Sequence, residues 1–235
     1  MKYIKTILCL LFLSLLISFS NAYTIKIGEK LIYKIKILNV SVGTQILHVV
    51  GINQINNKET YKIFYELKSS DFLNRFYNLH DIIYVNMDKQ TFHPIQIEKK
   101  IKEGKYENHV LAKFNFEEKK VYVREKNREF TKDLLPSTFD FISIVYYMRN
   151  QNLKVGKKFR IGMFGGREIT SNVITVEGKE KIKIPFGTFE TIVIVQKPEA
   201  LKIWFTNDAD CIPVKIEVQL KYGYLSAVLD KVVKE

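Results

Sequence analysis

The sequence predicts an all-β chain: one antiparallel, strongly curved sheet of about eleven strands, a half-barrel or open barrel around a helix. Three observations predict this. Ile, Val, Tyr and Phe are abundant, while Ala112, Ala200, Ala209 and Ala227 are the only alanines after residue 22. Branched and aromatic side chains suit a pleated, half-buried surface. Apolar residues alternate with Lys and Glu, as in Tyr33, Ile35 and Ile37 or Val214, Ile216, Val218 and Leu220. Such segments have one face for a core and one for water, which is how antiparallel sheets read. Short polar or glycine turns separate the segments, leaving no room for parallel crossovers.

The first 22 residues read as an address rather than structure. Lys2 and Lys5 form a basic start, Thr6 to Phe19 an apolar stretch, and Ser20-Asn21-Ala22 a small-residue cleavage site. This pattern predicts a cleavable secretory signal, because the apolar stretch is too short for a membrane span of about 20 residues. Residues 23–235 then form a single β-rich domain. Cleavage removes Cys9 and lowers the formal charge of +12 by two. Cys211 is left alone, so no internal disulfide can form, and burial in the core is expected for it.

Strands are expected at 29–38, 42–55, 60–69 with Tyr61, Ile63, Tyr65 and Leu67 in phase, 81–87, 92–102, 106–115 and 120–125. Others follow at 157–164, 167–178, 188–197, 212–221 and 224–233. Met87 to Gln90, Glu103 to Lys105 and Asn115 to Lys119 supply turns. Gly165-Gly166 reads as a two-residue hairpin turn, since glycine tolerates positive φ. Asn207-Asp208-Ala209-Asp210 is a polar turn. Two segments break the alternation. Ser137 to Asn150 predicts a helix opened by Ser137 and Asp140, with Phe141, Ile144, Val145 and Met148 on one face. Phe139, Ile142 and Tyr146 fill a second face, so this helix wants burial on two sides. Ser70 to Tyr77 carries Phe72, Leu73 and Phe76 at one-turn spacing.

Catalytic constellations are not found. There is no Gly-x-Ser-x-Gly, His-Glu-x-x-His, phosphate-binding glycine loop or Cys-x-x-Cys. His48, His80, His93 and His109 lack metal-ligand spacing. Cys211 stands beside Asp208 and Asp210, which raise rather than lower a thiol pKa. No catalytic residue, metal or cofactor is therefore assigned. The basic residues are spread along the chain, with concentrations at Lys99-Lys100-Ile101-Lys102 and Lys154 to Arg160, and read as solvated outer faces. Export argues against a nucleic-acid partner and leaves an anionic membrane surface or an envelope protein.

Residues Ile184-Pro185-Phe186-Gly187-Thr188-Phe189 are followed by Leu201-Lys202-Ile203-Trp204-Phe205-Thr206-Asn207-Asp208. Ile212-Pro213-Val214 and Gly223-Tyr224-Leu225 come next, and Val42-Gly43-Thr44 marks an opening hairpin. This order resembles the exported bacterial family called domain of unknown function 3108. The chain departs from its pattern at Cys211-Ile212, where basic residues are commoner. The resemblance implies a periplasmic envelope protein and brings no catalytic residues. At the level of fold it is similar to the half-barrels of periplasmic lipoprotein carriers. The expectation is a non-enzymatic protein that binds a lipid or lipid-linked ligand in its concavity, lined by Phe72, Phe76, Phe139, Phe141, Tyr146 and Trp204. The alternative is an envelope assembly partner.

Overall fold

The computed structural model describes residues 25–197, 201–220 and 223–234. The expected signal peptide, with Cys9, lies outside the described residues. The first half of the chain runs β1 (Lys30–Ile37), β2 (Val40–Ile55), β3 (Lys58–Ser69), α1 (Asp71–Asn74), β4 (His80–Asp88), β5 (Pro94–Glu103), β6 (Tyr106–Asn115), β7 (Lys120–Glu125) and β8 (Arg128–Asp133). The second half runs β9 (Thr138–Phe139), α2 (Ser143–Arg149), β10 (Lys158–Phe164), β11 (Ile169–Ile184), β12 (Gly187–Lys197), β13 (Leu201–Thr206), β14 (Pro213–Gln219) and β15 (Tyr224–Val233).

All strands belong to one sheet, in the order β8-β7-β6-β5-β4-β3-β2-β1-β15-β14-β13-β12-β11-β10-β9. Two meanders thus meet at the pairing of the first strand with the last. Every ladder is antiparallel except the short parallel pairing of β9 with β10. The count is fifteen among the described residues, not about eleven. The strands Arg128–Asp133 and Thr138–Phe139 lack an alternating apolar pattern long enough to read. Leu201–Thr206 is buried at its last four residues, so it does not alternate either.

The topology forces the sheet to roll. Laid flat, fifteen strands about 4.8 Å apart would place β8 and β9 on the order of 65 Å from each other. Residues 134–137 alone join them, a link that reaches at most about 18 Å. The two ends must therefore approach, and side chains bridge the seam that the ladders leave open. Lys132 Nζ lies 2.8 Å from Glu168 Oε1. Arg167 donates to both oxygens of Glu125, at 2.8 and 2.6 Å. Phe114 meets Phe164 edge-on at 5.2 Å. The roll stays an open sheet rather than a closed barrel.

Close approaches explain two glycines. A Cβ at Gly43 would stand 2.4 Å from the Lys68 carbonyl oxygen of β3. One at Gly162 would stand 2.5 Å from Thr138 Oγ1, which would push β9 off β10. The expected two-residue turn at Gly165-Gly166 is a four-residue connection instead, because Phe164 pairs with Ile169 and Gly165 N donates to Glu168 O. Gly166 alone of that pair has positive φ.

The helix is shorter than its sequence pattern suggested. Ser137 has positive φ, and Thr138 and Phe139 are extended onto β10. Asp140 does the capping: its Oδ1 accepts from the backbone N–H of Ile142 and Ser143. The following turn, α2, is buried at Ser143, Ile144, Val145, Tyr146, Met148 and Arg149, so it plugs the roll as two apolar faces require. Arg149 ends it with a bidentate pair to Glu29, at 2.6 and 2.9 Å, and a bond to the Asp210 carbonyl. Both side chains are fully buried. The core continues through Tyr33, Ile63, Met87, Ile97, Phe139 and Phe205.

Candidate ligand cleft

Between the plug and the concave sheet face lies a cavity of about 290 Å³. Eight strands contribute to its wall: β1, β2, β3, β10, β12, β13, β14 and β15. The side chains are chiefly aliphatic, such as Leu47, Leu67, Ile203 and Ile216, and Phe141, Ile142 and Val145 close the plug side. Strand alternation explains the apolar surface, since residues of one phase face inward together. Polar groups are few. Gln45 and Gln196 line the wall, and Gln196 Nε2 donates to Asn172 Oδ1 at 3.3 Å. Tyr65 meets Phe141 edge-on at 5.3 Å, and burial raises its phenol pKa.

A second cavity, about 640 Å³, adjoins the first and shares Phe141 and Met163 with it. It lies at the seam, between β5, β6 and the Gly165–Glu168 connection, and adds charged side chains to an otherwise apolar wall. Arg167 and Asn108 donate to Glu125, which holds that carboxyl below its usual range. Lys99 also lines it. Lys99 lies only 8% exposed, with Nζ 5.6 Å from the ring centres of both Phe141 and Phe164. Burial lowers its pKa, while the fields of Asp140 and Asp81 oppose that shift. The run Lys99 to Lys102 is thus not one solvated face. Lys100 and Lys102 point to solvent, whereas Lys99 is in phase with Ile97 and Ile101 on the inner side.

Of the six aromatic residues expected to line the concavity, Phe141 does so. Phe139 and Tyr146 are fully buried in the core beside it. Phe72 and Phe76 pair with each other at 5.8 Å on the outside of the roll, 71% and 76% exposed. Trp204 takes the opposite strand phase from Leu201 and Ile203, so it lies on the convex face. There its indole N–H donates to Glu180 at 2.7 Å, and Lys202 and Lys215 stand over the ring at 4.7 and 4.6 Å. Sequence reading missed Lys99 and the aliphatic wall. The available signal was phase: a lysine two residues from an isoleucine on either side shares their face.

Other groups are held in structural roles. Cys211 is buried, as expected, and desolvation pushes its thiol up to about 12, with Arg149 opposing and Asp208 adding to the shift. Asp208 Oδ1 accepts from Thr206 Oγ1 and from the backbone N–H of Asp210 and Cys211, which shapes the polar turn. His80 pairs with Glu66 and His109 with Glu98. His93 stacks on Phe116 at 4.5 Å. Among the described residues no group of three or more His, Cys, Asp or Glu side chains is placed to hold a metal.

No curated protein matches the chain. Among solved structures, it is similar to a beta-barrel-like protein of domain of unknown function DUF1849 from Brucella abortus, with a TM-score of 0.60 and 12% identity over 90% of this chain and 100% of that one. A protein with a YmcC-like fold from Bacteroides fragilis aligns with a TM-score of 0.40 and 8% identity over 90% and 98%. The Brucella likeness supports the rolled β architecture and, at that identity, the fold alone. The model of the protein family of unknown function DUF3108 matches residues 23–230, the whole rolled sheet up to its last strand, and the chain belongs to that family.

Proposed function

We propose that this chain is an exported, non-enzymatic protein that holds a lipid or other hydrophobic molecule in the cleft between the plug and the sheet. The apolar cavity of about 290 Å³ carries this reading. It lies close to the lower end of the ~300–1,000 Å³ typical of small-molecule sites, and its few polar groups match the usual lining of such sites. The N-terminal pattern of Lys2, Lys5, an apolar stretch and Ser20-Asn21-Ala22 supports export to the periplasm.

Native mass spectrometry of the protein exported into a bacterial periplasm tests the reading. An adduct of several hundred daltons, released by denaturation and identified as lipid, is the expected result. A second probe is Phe141→Ala. Phe141 is 39% exposed on the cavity wall, so its loss costs less than the ~3–5 kcal/mol of a buried Phe, while adduct retention falls. Full stability loss with retention unchanged would assign Phe141 to the core instead.

The exposed Phe72–Phe76 pair favours a second reading, an envelope assembly partner reached through protein contacts. Crosslinking in the native envelope separates the two: that reading needs a protein partner lost on Phe72→Ser, with no lipid adduct.

A further inference from the structure

Lys99 is a buried cation that the fold does not satisfy. Its side chain makes no hydrogen bond or ion pair among the described residues. Two phenyl faces and the fields of Asp140 and Asp81 are what surround the ammonium. Holding an ammonium largely out of bulk water, at the wall of a cavity and without a protein partner, is costly, so a purely structural side chain at this place would be apolar. The other charges of the second cavity are matched: Arg167 by Glu125, and Glu168 by Lys132. Glu103, the remaining carboxylate of that wall, stands four residues along β5, about 13 Å away in strand length. Phe141 ties the geometry together, because its ring walls the apolar cavity and also stands under the Lys99 ammonium. A hydrocarbon chain lying in the apolar cavity and passing Phe141 would bring its polar end to Lys99.

We propose that Lys99 is the head-group anchor of the cleft: the apolar cavity takes the chain of an anionic amphiphile, and the Lys99 ammonium takes its carboxylate or phosphate. This rests on the ligand-cleft reading above and narrows its ligand class. A charge-assisted hydrogen bond to the Lys99 ammonium supplies the preference.

Isothermal titration of the exported protein with four decyl probes, each below its micelle concentration, tests the assignment. The probes are decanoate, decyl phosphate, decan-1-ol and decyltrimethylammonium, with inorganic phosphate as a fifth titrant. Decanoate and decyl phosphate should bind at least tenfold tighter than the other two, and inorganic phosphate should not bind. Lys99→Met should erase that preference while decan-1-ol still binds, and Lys99→Arg should keep it. Equal binding of all four probes by the unaltered protein would overturn the anchor and leave the apolar cleft standing. Binding of none would overturn both readings. Inorganic phosphate binding as tightly as decyl phosphate would make this a free-anion site and overturn the amphiphile assignment. The four-probe comparison on the unaltered protein needs no variant to fold.

Discussion

Burial gives individual charged residues measurable signatures. Lys99 is the clearest, since its ionised form is disfavoured inside the roll. Lys99→Met keeps length, removes the charge and leaves an apolar side chain between two phenyl rings. It should raise stability by about 1 kcal/mol or more, read from urea unfolding. A loss of stability would mean that the ammonium is well satisfied. His93 gives a signature in pH. Burial beside Phe116 and Phe139 lowers its pKa from 6.5, with Asp88 opposing. The folded state therefore binds fewer protons than the unfolded chain. This contribution is full above about 6.5 and is lost as pH falls through the lower folded value. His93→Phe should flatten the fall in stability between pH 7 and about 5. The depressed carboxylates of Glu98, Glu125 and Asp210 act at lower pH, so they do not obscure that window. An unchanged slope in the variant would assign the acid sensitivity elsewhere.

At the scale of elements, α2 shows how tertiary contacts override a local pattern. Seven residues are too few to be stable alone, so the plug depends on what it docks against. The Arg149–Glu29 pair ties its end to the residue before β1 and, through the Asp210 carbonyl, to the turn before β14. Arg149→Met strands the Glu29 carboxylate in the interior and should cost about 3–5 kcal/mol in chemical denaturation. The double variant with Glu29→Leu should recover most of that loss. A double variant no better than the single would show that the arginine's packing matters more than its charge. The helical spacing of Phe139, Ile142 and Tyr146 promised a two-faced helix from Ser137. The backbone instead spends Thr138 and Phe139 on β10, because extended residues there add ladder bonds that an isolated first turn cannot supply. The opposite happens at α1. Its apolar spacing is correct, and Ser70 Oγ accepts from the Leu73 N–H, yet Phe72 and Phe76 face outward, since among the described residues no element covers that side.

For the whole molecule, the meeting of β1 and β15 is the organising event. Each of the two meanders is built from near neighbours, but they join only when residues about 200 positions apart pair, as Lys30 does with Val233. Hydrogen exchange should therefore be slowest in β1 and β15, which are paired on both sides, and fastest in the edges β8 and β9. Greatest protection in β8 would contradict this ordering. The open seam also places the second cavity where it is, since a closed ladder between β8 and β9 would leave no gap for Lys99 to face.

The sequence alone determined what is local: alternation set most strands, turn residues set most connections, and the apolar helix segment declared that something would fill a concavity. It also pointed to the burial of Cys211, because a thiol without a partner in a chain that reads as exported is best kept in the core. Phase along β5 puts Lys99 on one face with Ile97 and Ile101, but reading Lys99 to Lys102 as one solvated face missed it, and only the structure shows that face to be the inner one. Only the tertiary structure decided which face of each strand is concave, and so why Trp204 covers the outside while Ile203 lines the cleft. Alternation distinguishes two faces but does not name them. That choice comes from the direction in which the whole sheet rolls, and the roll is set by strand pairings far apart in the chain.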